Sequence, residues 1–236
     1  NLHYLLTLQK AAELEAWLGL PAQARRWRAR AAQVARQLAP LFWSKSRGLW
    51  ADDESHTSFS QHAQVLAVIA GLRVPALDKW FGDAVPPDMH RATLYFQHYV
   101  FEALGKIGKA DLILPALDTW RGLVDLDLKT PLENPEIGRS DCHAWGSHPL
   151  YHLRATVAGV YPLEPGFARV RIAPQPGKLK RIELNLPHPQ GSLKMKANFA
   201  NEGVEAMIVL PVKTTGVFVW RGREWPLKAG SNPIEV

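Results

Sequence analysis

Cysteine is nearly missing from this chain. Cys142 is the one thiol in 236 residues, which excludes an internal disulfide framework and any zinc site built on cysteines. Long apolar runs are missing too: nowhere do about 18 apolar residues follow one another, so no segment reads as a membrane-spanning helix. The amino end, Asn1-Leu2-His3, lacks the basic stretch, apolar stretch and small-residue cleavage site of a secretory leader. It opens inside a helical pattern instead. The expectation is a piece of a longer polypeptide, whose compartment is not readable from this end beyond a lean towards a secreted or periplasmic parent. Residues 1–165 show no excess of either charge, with 17 Lys and Arg against 17 Asp and Glu. The whole formal charge of +6 arises in residues 166–236, with 11 against 5. A basic segment raises the question of nucleic acid. Here Arg169, Arg171, Lys178, Lys180, Lys194 and Lys196 mostly alternate with apolar residues, the pattern of a sheet's wet face. No nucleic-acid motif accompanies them, so neither a nucleic-acid nor a membrane partner is expected.

What is present is a chain 47% hydrophobic, long enough to bury a substantial core, with two hydrophobic periods. Leu8, Ala11, Leu14 and Leu18, then Ala24, Trp27, Ala31, Val34, Leu38 and Leu41, step by three and four, as one face of a helix does. Gly19 and Pro21 punctuate the join. Trp43–Asp53 reads as a turn with a short extended return, and Ser60–Leu72 as a helix with His62 near its start. A short helix is expected over 76–84 and an aromatic-rich one over Ala92–Ile107, holding Tyr95, Phe96, Tyr99 and Phe101. A partner follows over Lys109–Trp120, with Pro115 inside it. Cys142–Val160 closes the helical part, with Pro149 tolerated only near a first turn or at a bend. After Pro162 the period becomes two, through Arg169–Ala173, Arg181–Leu184, Leu193–Lys196, Ala206–Leu210 and Val217–Trp220, separated at hairpin distances. The fold class is therefore α+β: antiparallel helical hairpins over residues 1–161, then a small β-sandwich of six to eight strands over residues 162–236.

Chemistry concentrates in Ser140-Asp141-Cys142-His143-Ala144-Trp145. The pattern predicts a helix start capped by Ser140 or Asp141, with His143 in the first turn and Trp145 offering a flat apolar face. Glu133 and Glu136 lie just upstream in a Pro-bounded loop. Carboxylates on a loop beside a His and a Trp make a candidate acid/base site. The plainer reading is a capped helix with a core Trp and a solvated loop. His148 and His152 have the i, i+4 spacing of metal ligands, but no third ligand follows at motif spacing, and no metal or cofactor is expected.

The string Arg139-Ser140-Asp141-Cys142-His143-Ala144-Trp145-Gly146-Ser147-His148-Pro149-Leu150-Tyr151, followed by Gly159-Val160-Tyr161-Pro162-Leu163-Glu164-Pro165-Gly166-Phe167 and Val170-Arg171-Ile172-Ala173-Pro174, resembles the end of the bacterial α-L-rhamnosidases of glycoside hydrolase family 78. Phe59-Ser60-Gln61-His62-Ala63 and Tyr95-Phe96-Gln97-His98-Tyr99 extend the resemblance upstream. It implies the second half of an (α/α)6 barrel over residues 1–161 and a C-terminal β-sandwich over 162–236. It further implies inverting hydrolysis of terminal α-L-rhamnosides, with Glu133 as general base and Glu136 as its competitor. His143, Trp145 and His62 would be substrate-binding residues, although Trp145 fits the core equally well and is expected there. Tyr95, Phe96 and Tyr99 are expected to be helix packing. The general acid belongs to the first half of such a barrel and has no equivalent in these 236 residues, so the chain by itself is expected to be inactive. Its partners would be the sugar substrate and the rest of the parent polypeptide. Two other readings stand beside this one: an exo-hydrolase of the same architecture for another sugar such as an L-fucoside, and a non-catalytic carbohydrate-binding or structural module in which Glu133 is a plain loop carboxylate.

Overall fold

The computed structural model describes residues 1–74, 85–133, 140–200 and 203–236. The expected helix over 76–84 and the competitor Glu136 lie outside these residues. Helices α1 (Leu2–Trp17) and α2 (Pro21–Phe42) form a hairpin, followed by a two-stranded ribbon of β1 (Trp43–Ser44) and β2 (Leu49–Trp50). Helices α3 (Gln61–Ile69) and α4 (Gln97–Lys106) come next, then a 3-10 turn at Ala110–Leu112, α5 (Ile113–Ala116) and α6 (Asp118–Asp125). A 3-10 turn at Ala144–Ser147, α7 (Pro149–His152) and a π-helical turn at Leu153–Val157 end the helical part. Eight strands follow: β3 (Val160–Pro162), β4 (Arg169–Ile172), β5 (Arg181–His188), β6 (Gly191–Ala200), β7 (Gly203–Leu210), β8 (Thr215–Trp220), β9 (Arg223–Leu227) and β10 (Gly230–Glu235). The fold is thus helices followed by two packed-type sheets, as the change of period predicts. By contact it divides into two compact units, residues 1–107 with 119–146, and residues 108–118 with 147–236.

In the first unit the hairpin buries Leu5, Leu8 and Ala12 of α1 and Ala24, Ala31, Val34 and Leu38 of α2, with Trp50, Ala63, Ala67 and Ala70 completing the cluster. Each fully buried Leu is worth about 1.5–3 kcal/mol relative to exposure. Three expected core positions are corrected here. Leu14 and Leu18 are 54% and 63% exposed, because at 3.6 residues per turn they lie roughly 120° and 80° around α1 from Leu8. Leu41, at the end of α2, is exposed as well. The α3 start is over-determined. Ser60 accepts from the Ala63 N–H, capping the helix, and donates to Asp52 at 2.6 Å. Buried Gln64 joins its amide to both backbone groups of Trp50, at 2.9 and 2.7 Å. Gln61 accepts from Ala92 N–H, so α3 holds the segment leading into α4. At the far end, Lys106 donates to the Ile69 carbonyl at 2.7 Å, a cation satisfying the last turn of α3.

Two helical expectations are revised. Tyr95 and Phe96 stand in the turn before α4, not inside it. The Lys109–Trp120 helix breaks into a 3-10 turn, α5 and α6, because Pro115 has no N–H to offer a continuous ladder.

The second unit holds the sheets β10-β7-β6-β5 and β3-β4-β8-β9. Inward residues alternate along β6 (Leu193, Met195, Ala197, Phe199) and β7 (Val204, Ala206, Ile208, Leu210). Lys194 and Lys196 take the outer side, where Glu183 meets Arg181 and, at 3.4 Å, Lys196. The basic segment is a wet sheet face. One pairing departs from the expected antiparallel scheme: β4 and β8 run parallel. A parallel pair needs a long crossover, and β5, β6 and β7 in the other sheet provide it. Gly159 makes the join into β3 possible. Its φ is +72°, and a Cβ there would lie 2.0 Å from the Ala173 carbonyl oxygen. Gly222 also has positive φ but faces open space.

Gly159→Ala should therefore lower the unfolding free energy by about 3 kcal/mol, through backbone collision added to φ strain. Gly222→Ala should cost only about 1 kcal/mol. Urea denaturation of the two variants checks the difference, and equal losses would disprove the close-approach argument.

Candidate active site

Glu133 and His143 are tied together by backbone. The Glu133 N–H donates to the Ser140 carbonyl at 3.1 Å, and the His143 N–H to the Pro131 carbonyl at 2.8 Å. The segments 131–133 and 140–143 therefore run side by side and antiparallel. This overturns the expected helix start: Ser140 has φ +102°, outside the extended region an N-cap residue occupies. The His143 donor goes to a loop carbonyl, and the Asp141 carbonyl accepts from the Thr130 hydroxyl. The helix begins at Pro149, at the first helical position, where proline's missing N–H costs nothing.

Two contacts hold this pair of segments. Gly146 is buried, and a Cβ on it would fall 2.6 Å from Pro131 Cβ. Trp120 donates its indole N–H to the Gly146 carbonyl at 2.7 Å. Leu132 buries next to Leu94 and Leu123, with Trp120 and Leu128 packed against them. The Glu133 loop, the Trp145 turn and the approach to α4 thus share one apolar anchor.

Around this anchor the rings gather. Trp145 is 65% exposed, which corrects the core assignment: its neighbours Ala144 and Gly146 turn in a 3-10 arc that points it outward. Tyr95 lies 5.0 Å from Trp145 and 6.4 Å from His143 between ring centroids, and His143 stands edge-on to Trp145 at 5.5 Å. Phe96 continues the wall, 4.0 Å from His62 and 4.7 Å from Tyr99. His3 meets Tyr99 at 5.5 Å. Phe96 is the buried member, while Tyr95, Tyr99, His62 and His143 are half-buried. Next to His62 a cavity of about 190 Å³ opens, walled by Leu2, Leu38, Phe42 and Trp50, with Asn1, His3, Asp52 and His62 as its polar residues. Sequence reasoning had named His62, His143 and Trp145. It missed His3 and Asp52, although His3 opens α1 as His62 opens α3, and that shared position was the available signal.

The electrostatics follow from burial. The His62 imidazole is held below the usual 6.5, first by burial, with Asp52 opposing and His90 assisting. Burial, then Tyr95, raises Tyr99 above the usual 10.0. Asp52 accepts from the hydroxyls of Ser58 and Ser60, and Asp53 is kept well below the usual carboxylate range by Ser55, then by the Thr57 and Ser58 backbone. Both acids brace the loop ahead of α3. His148 and His152, the pair with metal-ligand spacing, stack edge-on at 5.5 Å, and His152 shares a hydrogen bond with Thr156 at 3.0 Å in the buried π turn. A wall of flat ring faces, imidazoles able to donate or accept, and a carboxylate on the adjoining loop is an arrangement suited to a pyranose with an apolar face and several hydroxyls.

Residues 159–225 match the family model of the bacterial α-L-rhamnosidase C-terminal domain. Among solved structures, the family 78 rhamnosidase of Bacillus sp. GL1 is similar over 85% of this chain and 23% of its own length, with a TM-score of 0.73 at 25% identity. The α-L-rhamnosidase of Aspergillus terreus is similar over 98% and 29%, with a TM-score of 0.79 at 17% identity. That of Streptomyces avermitilis, solved with L-rhamnose, is similar over 100% and 26%, with a TM-score of 0.73 at 16% identity. A comparison with curated proteins found no match. Residues 159–225 are thus similar to the C-terminal domain of bacterial α-L-rhamnosidases, the fold is that of these solved enzymes, and the chain spans between 23% and 29% of their length. No helix among the described residues is long and apolar enough to cross a membrane.

Two outcomes follow. Trp120→Phe keeps the packing but strands the Gly146 carbonyl, so it should lower stability by about 1–2 kcal/mol and shift the His143 ring resonances; an unmoved His143 would uncouple the anchor from the site. His62, neutral in the fold at a pH where the unfolded chain takes up a proton, contributes stability that is complete above pH 6.5 and lost as pH falls towards its lowered value. Proton NMR should place its midpoint below 6.5, and His62→Gln should flatten the loss of stability on acidification.

Proposed function

We propose that this chain forms part of an inverting glycoside hydrolase that releases terminal α-L-rhamnose, with residues 1–161 as the C-terminal half of an (α/α)6 catalytic barrel and 162–236 as its C-terminal β-sandwich. The observation that carries the reading is the backbone pairing of Glu133 with the His143 segment, beside the Tyr95–Trp145 ring wall. The family-model match and the likeness to α-L-rhamnosidase structures support the choice of sugar.

In this reading Glu133 is the general base. Inversion sets two carboxyl groups about 6.5–9.5 Å apart, one removing a proton from water while the other protonates the leaving oxygen. Glu133 takes the water's proton as its oxygen attacks the anomeric carbon, and the glycosidic bond breaks towards the acid. The acid lies outside these 236 residues, in the rest of the parent polypeptide. His143 and His62 bond sugar hydroxyls. Trp145, standing exposed beside Tyr95, packs on the sugar's apolar face.

The isolated chain should show no hydrolysis of an aryl α-L-rhamnoside. In the full-length parent, Glu133→Gln should lower turnover by about two to four orders of magnitude with little change in sugar binding, while Glu136→Gln should stay near normal. The reverse result would move the base to Glu136. Full activity of both variants would end the assignment. Faster turnover of an aryl L-fucoside than of the rhamnoside would change the sugar.

A further inference from the structure

The charge neutrality of residues 1–165 conceals a segregation. Residues 1–42 carry six Lys and Arg against two Glu, whereas residues 43–165 carry 11 against 15 Asp and Glu. Five of the six cations are on α2: Arg25, Arg26, Arg28, Arg30 and Arg36, with no acid anywhere in the helix. All five are exposed. The buried positions Ala24, Ala31, Val34 and Leu38 take the opposite side of α2, so the arginines share its solvent face.

Ordinary surface helices intersperse signs, and α1 does so with its Lys10–Glu13 pair at 2.8 Å. On α2, Arg25 and Arg28, and Arg26 and Arg30, are like charges at spacings that are destabilising in a helix. Among the described residues none of the five forms an ion pair. Arg30 bonds the neutral Gln33 and Tyr4, and Arg26 lies over the Trp27 ring. The strip runs about 16 Å from Arg25 to Arg36. Arginine fills every cationic position, and its planar fork matches carboxylates two bonds at a time, as lysine's does not.

We propose that the solvent face of α2 docks a carboxylated polysaccharide, a uronate-bearing chain that delivers its terminal sugar to the site. The choice of a glycan among polyanions rests on the glycosidase reading. The strip itself does not.

The test uses the whole chain and polygalacturonate as probe, by calorimetry at low and at physiological salt. Binding should weaken steeply with salt, since neutralising a polyanion releases its counterions. Arg25→Gln/Arg28→Gln/Arg36→Gln should weaken it by about tenfold or more, with circular dichroism unchanged, and the triple Lys variant should recover part of the loss. Lys194→Gln/Lys196→Gln, which removes cations from the sandwich surface, should bind as the parent does. Unchanged binding by the triple Gln variant, or an equal loss in the sandwich variant, would overturn the strip. Tighter binding of single-stranded DNA or of anionic phospholipid vesicles, at matched charge, would overturn the glycan as its occupant. Turnover is not read here, so an inactive parent enzyme would sink the hydrolase reading while leaving this result standing.

Discussion

The close approach of Gly146 to Pro131 is the constraint on which the candidate site depends. A side chain at 146 would occupy the space of the proline ring and force the Glu133 loop and the Trp145 turn apart. Trp120 then adds direction: its indole bond to the Gly146 carbonyl fixes the turn's rotation as well as its distance. Leu132, one residue before Glu133, is buried in the same cluster. The backbone of Glu133 is thereby set on a packed support.

A second support works from the other side. The loop ahead of α3 is laced by Asp52 and Asp53 to Ser55, Thr57, Ser58 and Ser60, and Gln61 reaches over to Ala92. His62 and the Tyr95–Phe96 turn are consequently positioned by one network. The lowered His62 pKa belongs to the same arrangement: packing against Phe96 keeps water away, which disfavours the charged imidazole.

Much of this was legible in the sequence. The change of period near Pro162 separated helices from strands because burial on one face enforces it. A helix starting at Ser60, and Pro149 near a first turn, were readable because their backbone chemistry is local. Ser140 misled for the opposite reason: its surroundings resemble a cap, but the His143 N–H donates to the distant Pro131 carbonyl, and the Ser140 and Asp141 carbonyls accept from the Glu133 N–H and the Thr130 hydroxyl. Trp145 misled because a tryptophan's composition favours a core, and only the tertiary turn exposes it. Strand β10 contains Pro233 and Asn232 and reads poorly as a strand. In the structure Asn232 is buried, with its amide bonded to Ile208, Lys228 and Gly230, a compensation that no pattern announces.

The contrast between the two compact units explains why likeness to other proteins is unevenly visible. The sandwich is held by alternating apolar residues and by glycines at close approaches such as Gly159 and Gly216, where a Cβ at 216 would fall 2.5 Å from the Val170 oxygen. Those demands fall on residue type at many consecutive positions, and the family model matches there, over 159–225. The candidate site makes a different demand. It needs ring faces and a carboxylate brought together from five separate stretches, His3, His62, Tyr95–Tyr99, Glu133 and His143–Trp145, with few constraints on the residues between. Low identity with retained fold is the expected result, since helices tolerate exchange of exposed and apolar residues as long as the pattern persists. The candidate groups of this unit stand at a few positions: His3 and His62 at helix entrances, Tyr95–Tyr99 leading into α4, and Glu133, His143 and Trp145 on a loop and a 3-10 turn.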